Sequence, residues 1–345
     1  MSRTFLSVPE LSNKIIRSGL FSIAARGYHS SIEDFNFSDK FKLAIAKKVE
    51  PIAQEFSEHR ALKHPLFVYL AQQSKEGFTP TQFLIYRDNF FRRTQLTIPS
   101  IAATFQAAVT YEDFDAALLA LRNLNDEMGK GNKKDFHPHL LLESHNLHGI
   151  RVFELDPLPR ISAAEKSELL VPEVEEYRQA KKAIFTRPYP FIAGNTWAHE
   201  FAANSMLDHF KEAFFVPYLG FYTEKEAEEI MRFFTVHKDE LHEGGDIEQQ
   251  HQEMAREAVE LACRHSLSNL SQVREGGVIF LEHQAKLWDG MLRELEKARE
   301  VGEIVVPKSL AIKDAKRPQS TIVKVTSEKV DAENKEAKKF DGARS

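Results

Sequence analysis

From about residue 40 to about residue 300, apolar side chains recur at helical spacing, and at a few positions that spacing carries a glutamate or a histidine instead. No other feature constrains the fold as strongly. Leu281, Ala285, Trp288, Leu292 and Leu295 step by four and three along one stripe, and Ala117, Ala120 and Leu124 do the same just before Glu127. Strand-like alternation between hairpin turns is missing, and glycine is scarce at 15 residues. The pattern predicts an all-α bundle of about eight to ten helices. A long helix over roughly 80–108 is expected to kink at Pro99, and Asp113 is placed to cap the helix that follows.

The chain has 345 residues, 42% of them hydrophobic and 26 of them Phe, enough for a sizeable core. That core is expected within residues 37–300. Residues 1–36 set Arg3, Lys14, Arg17 and Arg26 among serines, with Glu10 the only acid before Glu33, which is the composition of a disordered leader or targeting segment. The expected location is cytoplasmic, or mitochondrial if residues 1–30 are a presequence. Residues 301–345 are rich in Lys, Glu, Ala and Ser and read as a disordered tail. A net charge of −5 and a pI near 6.3 give no electrostatic case for nucleic acid. Cys263 is the only cysteine, so an intrachain disulfide and a Cys-rich zinc site are both excluded. No run of about 18 apolar residues predicts a membrane span.

Three stretches hold the unusual residues. Glu127 extends the stripe before it, which turns its carboxylate inward, and a buried carboxylate is costly unless paired or metal-bound. His137 follows the flexible Gly129–Gly131 connection and precedes Pro138, which suits the first turn of a helix. His139, His145 and His148 lie close by, and pattern does not choose among them. Glu200 follows Ala193 and Trp197 at helical steps and precedes Ala203. In the third stretch His237, Gly244 and His251 share a face, His242 and Asp246 are one turn apart, and Glu248 and His251 form a Glu-x-x-His pair. A regular helix cannot aim all of these at one point. Gly244-Gly245 would permit an unwound turn that brings His242 or His237 beside Asp246 and His251. The candidate ligands are therefore Glu127, His137, Glu200, His237, His242, Asp246, Glu248 and His251, a carboxylate and imidazole set suited to iron or manganese.

Asn123-Leu-Asn-Asp-Glu127, an inward Glu200, and Phe233-Phe-Thr-Val-His237 followed by an acid and His251 resemble the haem-oxygenase-like diiron oxidases over about residues 60–298. The resemblance implies a haem-oxygenase-like helical bundle holding two ferrous ions per chain, with manganese–iron as the alternative pairing and O₂ as co-substrate. It further implies a small organic substrate, amino-acid-derived or fatty-acid-like, in the apolar interior, where Tyr86, Phe90, Phe91 and Trp197 are candidate lining residues. In that family the third helix supplies His-x-x-x-Asp-x-x-His. Counted from His237, the next two ligands fall here on Leu241 and Gly244, so the choice between His237 and His242, and between Asp246 and Glu248, stays open. Two other classes compete: a metal-independent thiaminase-like hydrolase with Cys263 as nucleophile, and a non-enzymatic helical interaction protein. The expected partners are a small-molecule substrate and at most a second copy of the chain.

Overall fold

The structure is a computed structural model that describes residues 39–238, 247–307 and 322–324. His242 and Asp246 lie outside the described residues, and so does the side chain of Glu248. Cα packing divides the chain into Met1–Leu43, of which only 39–43 are described, and Ala44–Ser345.

Eleven α-helices occur among the described residues: α1 (Asp39–Glu58), α2 (Pro65–Glu76), α3 (Pro80–Thr94), α4 (Thr97–Thr110), α5 (Phe114–Glu127), α6 (His137–Phe153), α7 (Pro172–Ile184), α8 (Tyr189–Phe210), α9 (Glu224–Lys238), α10 (Ile247–His265) and α11 (Asn269–Val301). Local chemistry sets their starts. Thr79 and Gln82 form a capping box at α3, with Pro80 in the first turn. Asp113 accepts a hydrogen bond from Ala116 N at the head of α5, as expected. The expected Pro99 kink is corrected: the segment breaks into α3 and α4 at Gln95 and Leu96, and Pro99 sits in the first turn of α4. A proline there removes no helical hydrogen bond, so it has no cause to bend the helix.

Helix α8 is the central element, packed by α11, α10 and α4. Every residue from Tyr189 to Glu200 is buried, so this half of the helix has no solvent face. Its polar side chains must find partners inside. Thr196 meets Thr104 on α4 at 2.7 Å, and Asn195 donates to Gly276 O on α11 at 3.2 Å. The α8–α11 crossing is unusually close. A Cβ on Gly194 would lie 2.0 Å from Val273 O, and one on Gly276 would lie 2.1 Å from Phe191 O. These two glycines let the helix backbones touch and so fix the position of α8 against α11.

Residues expected to open a disordered tail are in part ordered. Glu303–Val305 forms strand β1, antiparallel to β2 (Ile322–Lys324). Tyr218 OH donates to Val305 O and accepts from Phe78 N, both at 2.9 Å, and Ile304 and Val305 are buried. Two apolar residues with a polar clamp suffice to dock this piece despite the polar composition around it. Among the described residues, no helix is long and apolar enough to cross a membrane.

Candidate metal centre

Helix α5 ends at Glu127 because the chain beyond it turns left-handed. Gly129, Lys130 and Gly131 all have positive φ, of 63°, 52° and 85°. At Gly129 a Cβ would lie 2.5 Å from the Asp135 carbonyl carbon, so the returning chain needs glycine there. That tight return starts α6 at His137, directly beside the end of α5. His137 Nδ1 lies 3.4 Å from Glu127 Oε1.

His237, on the last turn of α9, completes the group. One ligand atom from each of Glu127, His137 and His237 lies within 4.8 Å of the other two. The two imidazole rings are 4.3 Å apart and tilted by 52°. Nδ1–H of His237 donates to Phe233 O one turn back, which fixes the tautomer and leaves Nε2 as the ligand nitrogen. Of the neighbouring histidines, His139 pairs with Glu143 at 2.9 Å, His145 accepts from Tyr86 OH at 2.8 Å, and His148 bonds Tyr222 OH. His137 is the one that faces Glu127.

Glu200, buried on α8, accepts a hydrogen bond from Asn123 Nδ2 at 3.1 Å. His251 on α10 is buried, with Nε2 3.5 Å from Asp126 Oδ2. Among the described candidates, Glu127, His137 and His237 thus converge, while Glu200 and His251 approach from two further helices. Asn123 and Asp126 belong to the same constellation, although the expected ligand set did not include them. Asn123 sits one helical turn before Glu127, the signal that would have found it.

The electrostatics favour ligation. Burial pushes the Glu127 carboxyl up, but the imidazoles of His137, His237 and His251 outweigh it and hold it at about 2. Burial pushes His237 down to about 3, with His137 adding to that shift and Glu127 opposing it. At neutral pH Glu127 is therefore charged and His237 neutral, the protonation states that ligands require. Burial also raises Glu200, opposed by His251 and by the Asn123 hydrogen bond, while the Glu127 charge raises it further. Two buried carboxylates that disfavour each other's charge, together with a buried His137 Nδ1 that makes no hydrogen bond, fit a cation between them. Carboxylate and imidazole donors suit iron.

A cavity of 520 Å³ opens onto this group. Glu127, His137, His237 and Glu200 form one part of its wall, and Phe90, Leu141, Leu207 and Phe233 give it an apolar body. Arg93 and Arg160 also line it. Of the four aromatic residues expected there, Phe90 alone is in the lining. Tyr86, Phe91 and Trp197 are buried in packing instead: Tyr86 stacks on Phe214 with centroids 4.2 Å apart, and Trp197 packs on Phe56 at 5.2 Å. Cys263 is buried and lies outside the cavity lining, and burial raises its thiol to about 12, the reverse of an activated nucleophile.

A family model described as iron-containing redox enzyme matches residues 81–285, which include Glu127, His137, Glu200, His237 and His251. The fold is similar to that of a CADD-like protein of unknown function from Nostoc punctiforme, solved at 2.00 Å and again at 1.35 Å resolution. Sequence identity is 13% in both cases. The 2.00 Å structure gives a TM-score of 0.55, with 73% of this chain and 99% of that chain covered. The 1.35 Å structure gives 0.56, with 74% and 97% covered. A comparison with curated proteins found no match.

Proposed function

The chain belongs to the family of iron-containing redox enzymes, and on that premise we propose an iron-dependent, O₂-activating oxidase or oxygenase with a carboxylate/histidine diiron centre. Its substrate is a small organic molecule, amino-acid-derived or fatty-acid-like. The observation that carries this reading is the Glu127, His137 and His237 group opening onto a largely apolar cavity.

Glu127, His137 and His237 would hold one ion. Glu200 and His251 would contribute to a second, with His242, Asp246 and Glu248 as the remaining candidates. Ferrous iron bound there would supply the electrons that reduce O₂. The protein's own residues do the rest. Glu127 and Glu200 supply the negative charge that makes the site cation-selective. The hydrogen bond from His237 to Phe233 O keeps one ring nitrogen aimed inward. Phe90, Leu141, Leu207 and Phe233 exclude water and receive the apolar part of the substrate, and Arg93 and Arg160 give the wall a positive charge for its polar end.

Anaerobic reconstitution with ferrous iron, followed by mixing with O₂ under stopped-flow absorbance, tests the reading. The expected result is up to two ferrous ions per chain and an O₂-dependent absorbance change. Glu127→Ala and Glu200→Ala should each lower iron content strongly, and wild-type iron in both variants would overturn the ligand assignment. A protein that purifies and reconstitutes without stoichiometric iron would instead be a helical interaction protein.

A further inference from the structure

Asp126 and Glu127 are sequence neighbours on the last turn of α5, so their side chains leave the helix about 100° apart. Glu127 faces His137, and Asp126 faces His251. The two pairs are alike in geometry: 3.4 Å from Glu127 Oε1 to His137 Nδ1, and 3.5 Å from Asp126 Oδ2 to His251 Nε2. Both separations exceed the roughly 2.7–2.9 Å of a charge-assisted hydrogen bond. They are the spacing of two donor atoms around one ion, whose bonds of about 2.0–2.2 Å set neighbouring ligands a little over 3 Å apart. Glu200 lines the same cavity as Glu127, His137 and His237. Asn123 on the same face of α5 holds Glu200 through its Nδ2, while its own Oδ1 is buried without a hydrogen-bond partner.

We propose that Asp126 is a metal ligand. The Asp126–Glu127 doublet divides between two ion positions, Glu127 with His137 and His237 at the first, and Asp126 with His251 at the second. This rests on the two-ion reading of the site. It departs from the pattern of the resembling family, which draws the acid of the second position from the helix that carries the last histidine. The Asp126 side chain is 22% exposed, and its Oδ1 lies 3.5 Å from Lys130 Nζ. The acid of the second position is therefore more exposed than Glu127, whose side chain is 11% exposed.

The full-length, metal-free protein titrated anaerobically with Co²⁺ tests this, with visible absorption and the metal content after desalting as readouts. Wild type should take two ions. Asp126→Asn should keep the first at wild-type affinity and weaken the second roughly tenfold or more. It is close in shape and partly exposed, and helical circular dichroism of the metal-free variant checks that it folds. Lys130→Ala removes the other partner of Asp126 and should leave both ions bound. Two ions at wild-type affinity in Asp126→Asn would overturn the proposal. So would loss of the second ion in Lys130→Ala, because Asp126 would then act only through its surface ion pair. Fewer than two ions in wild type would remove the two-ion reading itself, and the second position with it.

Discussion

The contact between Gly194 on α8 and Val273 on α11 sets where Glu200 sits, and Gly194→Ala is the perturbation that exposes this. The added Cβ would lie 2.0 Å from Val273 O, against a near limit of about 3.3 Å for carbon on a carbonyl oxygen. The obstacle is backbone rather than a side-chain tip, so the two helices must part by about 1.3 Å locally. Overpacking of this kind costs about 1–3 kcal/mol, and backbone against backbone belongs at the upper end. For a domain of this size each kcal/mol lowers Tm by about 2–4 °C, so the metal-free variant should melt roughly 6–12 °C below wild type. Glu200 lies less than two turns further along α8. A shift of comparable size at Glu200 would break the geometry of its 3.1 Å hydrogen bond with Asn123. Thermal melts in chelator test the packing, and iron content after reconstitution tests its coupling to the site. A variant with wild-type Tm and wild-type iron would refute the claim that this crossing positions Glu200. A lowered Tm with full iron uptake would break the link to the site alone.

Three further outcomes follow from the geometry. The Glu127 carboxyl titrates at about 2 in the folded chain against an ordinary 4.5, because the imidazoles around it outweigh its burial. A depressed folded value stabilises the fold above about pH 4.5 and ceases to do so as pH falls toward 2. The Tm gap between metal-free wild type and Glu127→Gln should therefore shrink between pH 6 and pH 3.5, and a constant gap would contradict this. Cys263→Ala should leave iron uptake and O₂ reactivity unchanged, since the thiol is buried and raised to about 12, and loss of both with fold retained would revive a role for sulfur. A chain beginning at Ile32 should fold and take up iron, because every proposed ligand lies beyond residue 122. Helical circular dichroism with wild-type content but no iron would show that the leader completes the site.

Much of this was legible in the sequence, for identifiable reasons. The stripe before Glu127, the Asp113 cap and the Pro138 start are local signals, and local chemistry decided them. The convergence of Glu127 with His137 was readable because a short glycine-containing connection joins them. Other points depend on what lies across the bundle. Sequence shows that Tyr86, Phe91 and Trp197 are buried but not against what, and they turn out to pack in the core rather than line the cavity. Asp126 stands in the motif itself, yet its partner is His251 on a helix far along the chain. Pro99 misled because the same residue that breaks a helix interior is accommodated in a first turn, and the break at Gln95 and Leu96 carries no proline or glycine to announce it. Ile304 and Val305 were hidden in polar surroundings until Tyr218 and Phe78 supplied their dock.

The left-handed return at Gly129–Gly131 also bears on when the site comes into being. It closes a loop of about ten residues, which a free chain does in about 10–100 ns, so Glu127 and His137 can meet before the bundle exists. His237 and His251 arrive from α9 and α10, whose contacts with the end of α5 are long-range in sequence and are therefore rewarded later than the local loop. An ion captured early would find only two of its ligands. Full affinity appears with the finished tertiary structure, so folding should precede metal loading, and a chain made under iron scarcity would wait as a folded, receptive apoprotein.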